Sequence, residues 1–377
     1  MLIGLDASRT TVARRTGTEN YALNLIRALL ALRGDHHYRL YFRDRPPTGL
    51  FPTGDAVERR VIPFPRLWTH LRLSVEMARH PPDLLFVPAH VLPPIRPRRS
   101  LATVHDLGYR HFPQAHRPLD RLYLDLSTRW NARAATRVLA DSEATKADLI
   151  REYGTPAGKI VVVHPGRDDS LRRVEDRAAI AAVKTKYGIS RDYLLHIGTL
   201  HPRKNLACLV EAFATLNSKL KTQNSKLKTH NPQLVIAGKK GWLYSEIFSR
   251  VKAMGLVDRV VFTGYVAGDD LPALLSGAQL FVFPSLHEGF GLPVIEAMSC
   301  GVPVVCSNTS SLPEVAGDAA LLVDPLDTQA LAAAMARLLT DESLRADLIA
   351  RGFRQAERFS WPRAARQVMD LIEELAR

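Results

Sequence analysis

Residues 281–305 read FVFPSLHEGFGLPVIEAMSCGVPVV, and this stretch decides the fold class. Phe281–Pro284 is short and wholly apolar, as a strand buried on both faces requires. The chain then passes Ser285 and Glu288, enters a Gly289-Phe290-Gly291 turn, and continues into a helix with Pro293 in its first turn. A second apolar run, Val302–Val305, follows. Strand, glycine turn, helix and strand in one short span make a βαβ unit with parallel strands. The glycines let backbone N–H groups approach a ligand, and the helix N-terminus adds unpaired donors and partial positive charge, so the turn is an anion cradle. Glu288 sits at its lip and Glu296 about one turn into the helix. Two carboxylates there flank a phosphate-sized hole and suit the hydroxyls of a sugar and a ribose. The E-x7-E spacing by itself is common; its setting makes it specific.

The same alternation continues on both sides. MLIGLDAS is a strand, and YALNLIRALLALR (21–33) has apolar residues at helical spacing, closed by Gly34. YRLYF, DLLFVP and SLATVHD follow as strands, then a helix-rich stretch from Arg117 to Ala135, the strand RVLADS, a helix over 144–153, and KIVVVHPG. A second series starts at YLLHIGTL: NLACLVEAFATL, QLVIAGK, SEIFSRVKAMGL, RVVFTGYV, DLPALLSGA, QLFVFPS, PVIEAMSCG and VPVVCSN. The expectation is an α/β protein of two Rossmann-like doubly wound domains facing across a cleft, with ligands at the strands' carboxyl ends. Residues 1–168 form the first domain, 169–191 a charged connector and 192–359 the second domain. Residues 217–230, NSKLKTQ-NSKLKTH, duplicate a polar heptad too poor in apolar residues for a coiled coil and read as a surface insertion.

A length of 377 residues fits two domains. No apolar run reaches the ~18 residues of a membrane span, and MLIGLDASRT reads as a strand without a secretory leader. Three cysteines without C-x-x-C spacing give neither a disulfide framework nor a metal motif; a reducing cytoplasm is expected. The net charge of +13 is one-sided: residues 1–190 carry 31 Lys and Arg against 19 Asp and Glu, residues 191–377 carry 20 against 19. Such a field suits an anionic partner, a solvated Arg-rich surface being the alternative. Arg96, Arg98, Arg99 and RLWTHLRL (66–73) join cations to apolar anchors, as an anionic membrane surface would require. A nucleic-acid module is disfavoured, because the few aromatics are not interleaved with the basic residues.

HIGTLHPRKNL (196–206) places Arg203 and Lys204 after a strand's carboxyl end, where two adjacent cations can neutralise a diphosphate. RRTGTENYALNL (14–25) puts Gly17 and Thr18 at a helix start, with Thr18 read as an N-cap, an ordinary cap being the alternative to a ligand loop. His105 closes the strand SLATVHDL; a histidine so placed is more often structural than chemical. There is no D-x-D triplet, no G-x-G-x-x-G after the first strand, no G-x-S-x-G elbow and no Walker P-loop.

The 281–305 string closely resembles the donor-site motif of the retaining glycosyltransferases of family 4, which have the GT-B fold. RVLADSEATKADL (137–149), VVVHPG (161–166), VVFTGYVAGDDLPALLSGA (260–278) and SNTSSLPEVAGDAALLVDP (307–325) extend the resemblance over most of the chain. It implies that Glu288 contacts the transferred sugar, that Gly289, Phe290, Gly291 and Leu292 offer amides to its hydroxyls and phosphate, and that Glu296 holds the ribose. It further implies that Arg203 and Lys204 balance the leaving diphosphate without a metal cofactor, and that Tyr265 and Val266 bind the base through backbone groups. From the first domain, His105 meets the donor sugar, Gly17 and Thr18 approach the diphosphate and acceptor, and His90 shapes the acceptor side. Where many family members carry another Arg, this chain has Thr199, which shifts charge onto Arg203. The resemblance also returns residues 360–377 to the first domain. The expected activity is hexosyl transfer with retention, closest to the bacterial mannosyltransferase branch and so from GDP-mannose, to a glycan or lipid-linked acceptor. A UDP-sugar donor, or a same-fold nucleotide-sugar epimerase or hydrolase, stands as the alternative.

Overall fold

The computed structural model describes residues 1–12, 17–32, 34–222, 231–241 and 244–377. The heptad duplication expected to be a surface insertion lies mostly outside them. The chain divides into two compact units. The first comprises Met1–Arg110, Pro118–Gly166 and Phe359–Arg377; the second comprises His111–Arg117 and Arg167–Arg358.

The first unit is a seven-stranded sheet built from β1 (Leu2–Asp6), β2 (His37–Phe42), β3 (Val57–Val61), β4 (Leu84–Val87), β5 (Arg99–Val104), β6 (Arg137–Ala140) and β7 (Ile160–Val162). Its order is β3-β2-β1-β4-β5-β6-β7 and every strand pair is parallel. The sheet is covered on both faces, as parallel strands demand. One core gathers Ile3, Leu5, Leu25, Ile26 and Leu29 with Ala365, Val368 and Ile372; the other gathers Tyr41, Leu85, Val87, Val104 and Leu149. The helix Trp361–Ala376 therefore packs on the helix Gly17–Ala31 and completes the first core.

The second unit holds β8 (Tyr193–Ile197), β9 (Gln233–Ala237), β10 (Val260–Gly264), β11 (Leu280–Phe283), β12 (Val304–Ser307) and β13 (Ala320–Val323). The order β10-β9-β8-β11-β12-β13 repeats the doubly wound pattern, again all parallel. In each sheet the winding direction reverses beside the first strand, at β1/β4 and at β8/β11, which is where ligands bind in open α/β sheets.

Three expectations need correction. The connector 169–191 contains the helix Arg177–Lys186, started by the Asp176 side chain accepting from Ala178 N; it buries little beyond Val183, so its apolar period was too weak to read. Thr18 is the second residue of the Gly17 helix rather than its cap. RLWTHLRL does not present all its apolar residues outward: Trp68–Leu73 forms a π-helix that buries Trp68 and Leu73, with Trp68 Nε1 donating to Ile62 O at 2.7 Å. Of its apolar residues only Leu67 and Leu71 stay exposed.

Candidate functional site

In the second unit the loops leaving β8 and β11 are tied together by one small network. After β8 the chain makes a short 3-10 turn, Pro202–Lys204, and Asn205, in the left-handed region, fastens it by donating to Pro325 O at 2.6 Å. After β11, Leu286 N donates to Arg203 O at 2.8 Å, so the two loops share a backbone bond. Arg203 Nη1 donates to His287 O at 2.8 Å and to Glu288 Oε2 at 2.7 Å. Lys204 Nζ donates to the other carboxylate oxygen, Glu288 Oε1, at 2.6 Å and stands 4.6 Å over the Phe283 ring. Glu288 and Lys204 are buried.

This carboxylate has a decided charge state. Burial alone would raise the Glu288 pKa, but Arg203 and Lys204 outweigh it and hold the carboxyl at about 2. His196 lies beneath, Nδ1 donating to Val282 O at 3.0 Å and the ring stacked on Phe283. Burial, then Lys204, press its pKa down to about 4, so His196 adds no positive charge beside Glu288 at neutral pH.

The glycine turn is held from below. Glu288 N donates to Ser310 Oγ at 2.9 Å, and Ser311 Oγ donates to Glu288 O at 2.9 Å and Phe290 O at 2.6 Å. Gly291 has φ +113°, and a Cβ there would sit 2.7 Å from Leu312 Cδ2, so glycine is required on both counts. The helix Leu292–Ser299 starts at this point without a side-chain cap; Pro293 has no N–H and Val294 N donates to Gly291 O at 2.9 Å, so what the helix start offers an anion is chiefly its partial positive charge. Glu296, partly buried on that helix, is pushed up to about 7 by desolvation and then by Asp168. It is poised between acid and carboxylate near neutrality.

Tyr265 and Val266 follow β10. Gly198 N donates to Ala237 O at 2.9 Å and Gly238 N to Gly264 O at 2.8 Å, which joins the loops after β8, β9 and β10. Gly238, φ +152°, lets the backbone pass where a Cβ would lie 1.9 Å from Gly198 O. Tyr265 is half exposed with Lys239 Nζ 5.7 Å over its ring, and Val266 is buried.

The first unit carries the remaining residues. His105 Nδ1 lies 2.7 Å from Asp141 Oδ2 and Nε2 lies 3.1 Å from Pro88 O. A carbonyl only accepts, so Nε2 donates to Pro88 O, and one proton is shared across the contact of Nδ1 with Asp141 Oδ2, which ties positive charge on the ring to that carboxyl group. Burial opposes that charge, but Asp141 prevails and raises the pKa. Tyr21 packs edge-on at 4.7 Å. Gly17 begins its helix with open space where a Cβ would stand, while the preceding residues 13–16 are outside the described ones. His90 Nε2 accepts from Arg9 Nη2 at 3.2 Å. Asp141, His287, Ser310 and Ser311 were not anticipated. Asp141 closes β6 beside the His105 strand end, a readable signal; the serines are plain loop residues whose bonds only the folded chain reveals.

Two family models cover this chain: "Glycosyltransferase Family 4" over residues 15–171 and "Glycosyl transferases group 1" over residues 181–355. The O-antigen chain mannosyltransferase B of Escherichia coli is 33% identical over 96% of each chain. The chain belongs to glycosyltransferase family 4. The fold agrees: sucrose-phosphate synthase from Thermosynechococcus elongatus superposes with TM-score 0.75 at 23% identity, covering 99% of this chain and 98% of its own. HepE from Anabaena, solved in complex with UDP-glucose, gives 0.74 at 19% identity, covering 99% and 100%. This family 4 member is thus a glycosyltransferase with the GT-B fold, and its relatives include named mannosyltransferases.

Proposed function

We propose that this glycosyltransferase moves mannose from GDP-mannose to a glycan or lipid-linked acceptor, with retention of configuration, in polysaccharide assembly. The observation that carries the reading is the Arg203–Glu288–Lys204 cluster beside the 289–292 turn, at the carboxyl ends of β8 and β11. Cleaving the bond from the anomeric carbon to phosphate builds charge on the departing diphosphate. Cations and amides already oriented there stabilise that charge more than they stabilise the bound donor.

Glu288 then has two tasks. Before the donor arrives it keeps both cations charged and aimed. Once the diphosphate takes over their charge, its oxygens turn to the sugar hydroxyls. Arg203 offers a planar fork and Lys204 a movable point charge, and together they replace a divalent ion, so turnover should survive a metal chelator. Glu296 accepts from the ribose hydroxyls. The likeness to the E. coli mannosyltransferase over nearly the full length supports mannose as the sugar, and GDP is proposed with it.

The protein is read as cytoplasmic and meeting its acceptor at an anionic membrane face. Its three cysteines are free and buried, and no described helix is long and apolar enough to cross a membrane. The test is a calorimetric panel of GDP, UDP and ADP with their sugars, followed by turnover with and without a chelator. GDP-mannose binding and chelator-resistant transfer are expected. Preference for a UDP-sugar would replace the donor, and sugar delivered only to water would replace transfer by hydrolysis.

A further inference from the structure

Ser310 lies in the second unit, in the loop between β12 and the short helix Leu312–Ala316. Its φ is +51°, and among the described residues only Leu67 and Asn205 share a positive φ without being glycine. Asparagine tolerates that region; serine enters it at a steric cost that glycine would avoid. Such a backbone persists where its surroundings fix it, often for the sake of a site. Here it brings the hydroxyl to the loop after β11, where Ser310 Oγ accepts from Glu288 N at 2.9 Å.

Its two neighbours grip the same loop at other points. Thr309 Oγ1 donates to Leu286 O at 3.3 Å, and Ser311 Oγ donates to Glu288 O at 2.9 Å and Phe290 O at 2.6 Å. Three consecutive hydroxyls thus hold three successive peptides, and the middle one falls to Ser310. That middle peptide, joining His287 to Glu288, is also held at its other end, because Arg203 Nη1 donates to His287 O at 2.8 Å. A guanidinium pins the oxygen and a hydroxyl pins the nitrogen. The same Arg203 nitrogen holds Glu288 Oε2 at 2.7 Å. If a diphosphate draws Arg203 away, the carbonyl and the carboxylate lose one partner together. Ser310 is then what still fixes the peptide from which the Glu288 side chain departs.

We propose that Ser310 is a positioning residue for Glu288: it holds the His287–Glu288 peptide once Arg203 has turned to the diphosphate, so that the carboxylate meets the sugar hydroxyls, and its strained backbone is kept for that bond. This rests on the proposed role of Glu288 at the donor sugar and names the group that keeps it aimed. The nucleotide alone asks Glu288 only to release two cations, and Ser311 still holds the turn. Loss of the Ser310 hydroxyl should therefore show in the binding of the sugar and not in that of the nucleotide.

The test compares Ser310→Ala and Ser310→Gly with wild type in the full chain, by thermal melting and by calorimetry with GDP and GDP-mannose. UDP and UDP-glucose form a parallel pair, and the pair that the wild-type protein binds carries the comparison. Both variants lose the hydroxyl, but only alanine keeps the cost of a positive φ. Ser310→Gly should accordingly melt above Ser310→Ala, the reverse of the order at an ordinary position. Ser310 is partly buried on a loop, so both variants keep the core. In both, the sugar nucleotide should bind about tenfold more weakly, as when a hydrogen bond to a charged group is lost, while affinity for the bare nucleotide stays as in wild type. Unchanged sugar-nucleotide affinity in either variant overturns the proposal. So does an equal fall for nucleotide and sugar nucleotide, which would make the hydroxyl a brace for the whole turn. Ser310→Ala melting at or above Ser310→Gly overturns it as well, since no strain would then be held there. Wild-type binding with unchanged variants refutes this inference alone; a wild-type protein that binds neither pair refutes the donor-site reading itself.

Discussion

Lys204 Nζ stands 2.6 Å from Glu288 Oε1 although 84 residues separate the two in sequence. The contact forms because β8 and β11 are neighbours in the sheet and both deliver their loops to the same edge. An ion pair buried this far is costly to half-remove. Glu288→Gln should therefore lower stability by about 3 kcal/mol at neutral pH, read by chemical denaturation. The pH dependence has a fixed sign. The folded pKa of about 2 lies below the ordinary 4.5, so the contribution is complete above about 4.5 and fades as pH falls toward 2. The variant should lack that acid slope, and an unchanged slope would place Glu288's charge outside the stability balance.

Lys204→Met keeps a long side chain over Phe283 and removes the charge. With the fold intact by circular dichroism, kcat should fall by about a hundredfold or more, as when one oriented donor to a developing anion is lost. Wild-type turnover in this variant would mean that Arg203 or another group balances the diphosphate.

Glu296 gives a different pH signature. Its folded pKa, about 7 against an ordinary 4.5, is raised, so protonation favours the fold and this contribution is lost as pH climbs through 7. For nucleotide binding the order reverses: the carboxylate accepts from ribose hydroxyls better than the neutral acid does. Nucleotide affinity should rise across pH 6 to 8, an interval of roughly one unit on each side of that value, and be flat in Glu296→Gln. Titration calorimetry at three pH values decides it.

Gly291→Ala should destabilise the second unit by about 2 kcal/mol through forced positive φ and the approach to Leu312. It should also weaken nucleotide binding by moving the turn. A thermal scan with and without GDP separates the two effects.

Much of the fold was legible because parallel strands are apolar throughout: LLFV, LFVF and LVIA each announce a strand. Where that signal fades, so does the reading. β3, VERRV, is an edge strand carrying three charges, and the helix Arg177–Lys186 hides in a charged stretch. Site residues were legible as types near strand ends, since Glu288, Arg203 and Lys204 each follow an apolar run. Their mutual grip was not, because a pairing across 84 residues depends on strand order, which periodicity does not contain. Trp68 misled for a similar reason: an aromatic among arginines suits an interface equally well, until Ile62 O claims its indole.

The helix Trp361–Ala376 has a kinetic consequence during synthesis. Val368 and Ile372 finish a hydrophobic centre whose members from Ile3 to Val163 leave the ribosome first. The early half must wait, with one flank uncovered, while nearly two hundred intervening residues of the other unit are made (Arg167–Arg358). Translation through residue 372 is what releases it from that exposed state, and stalling before that point should hand the nascent chain to chaperones.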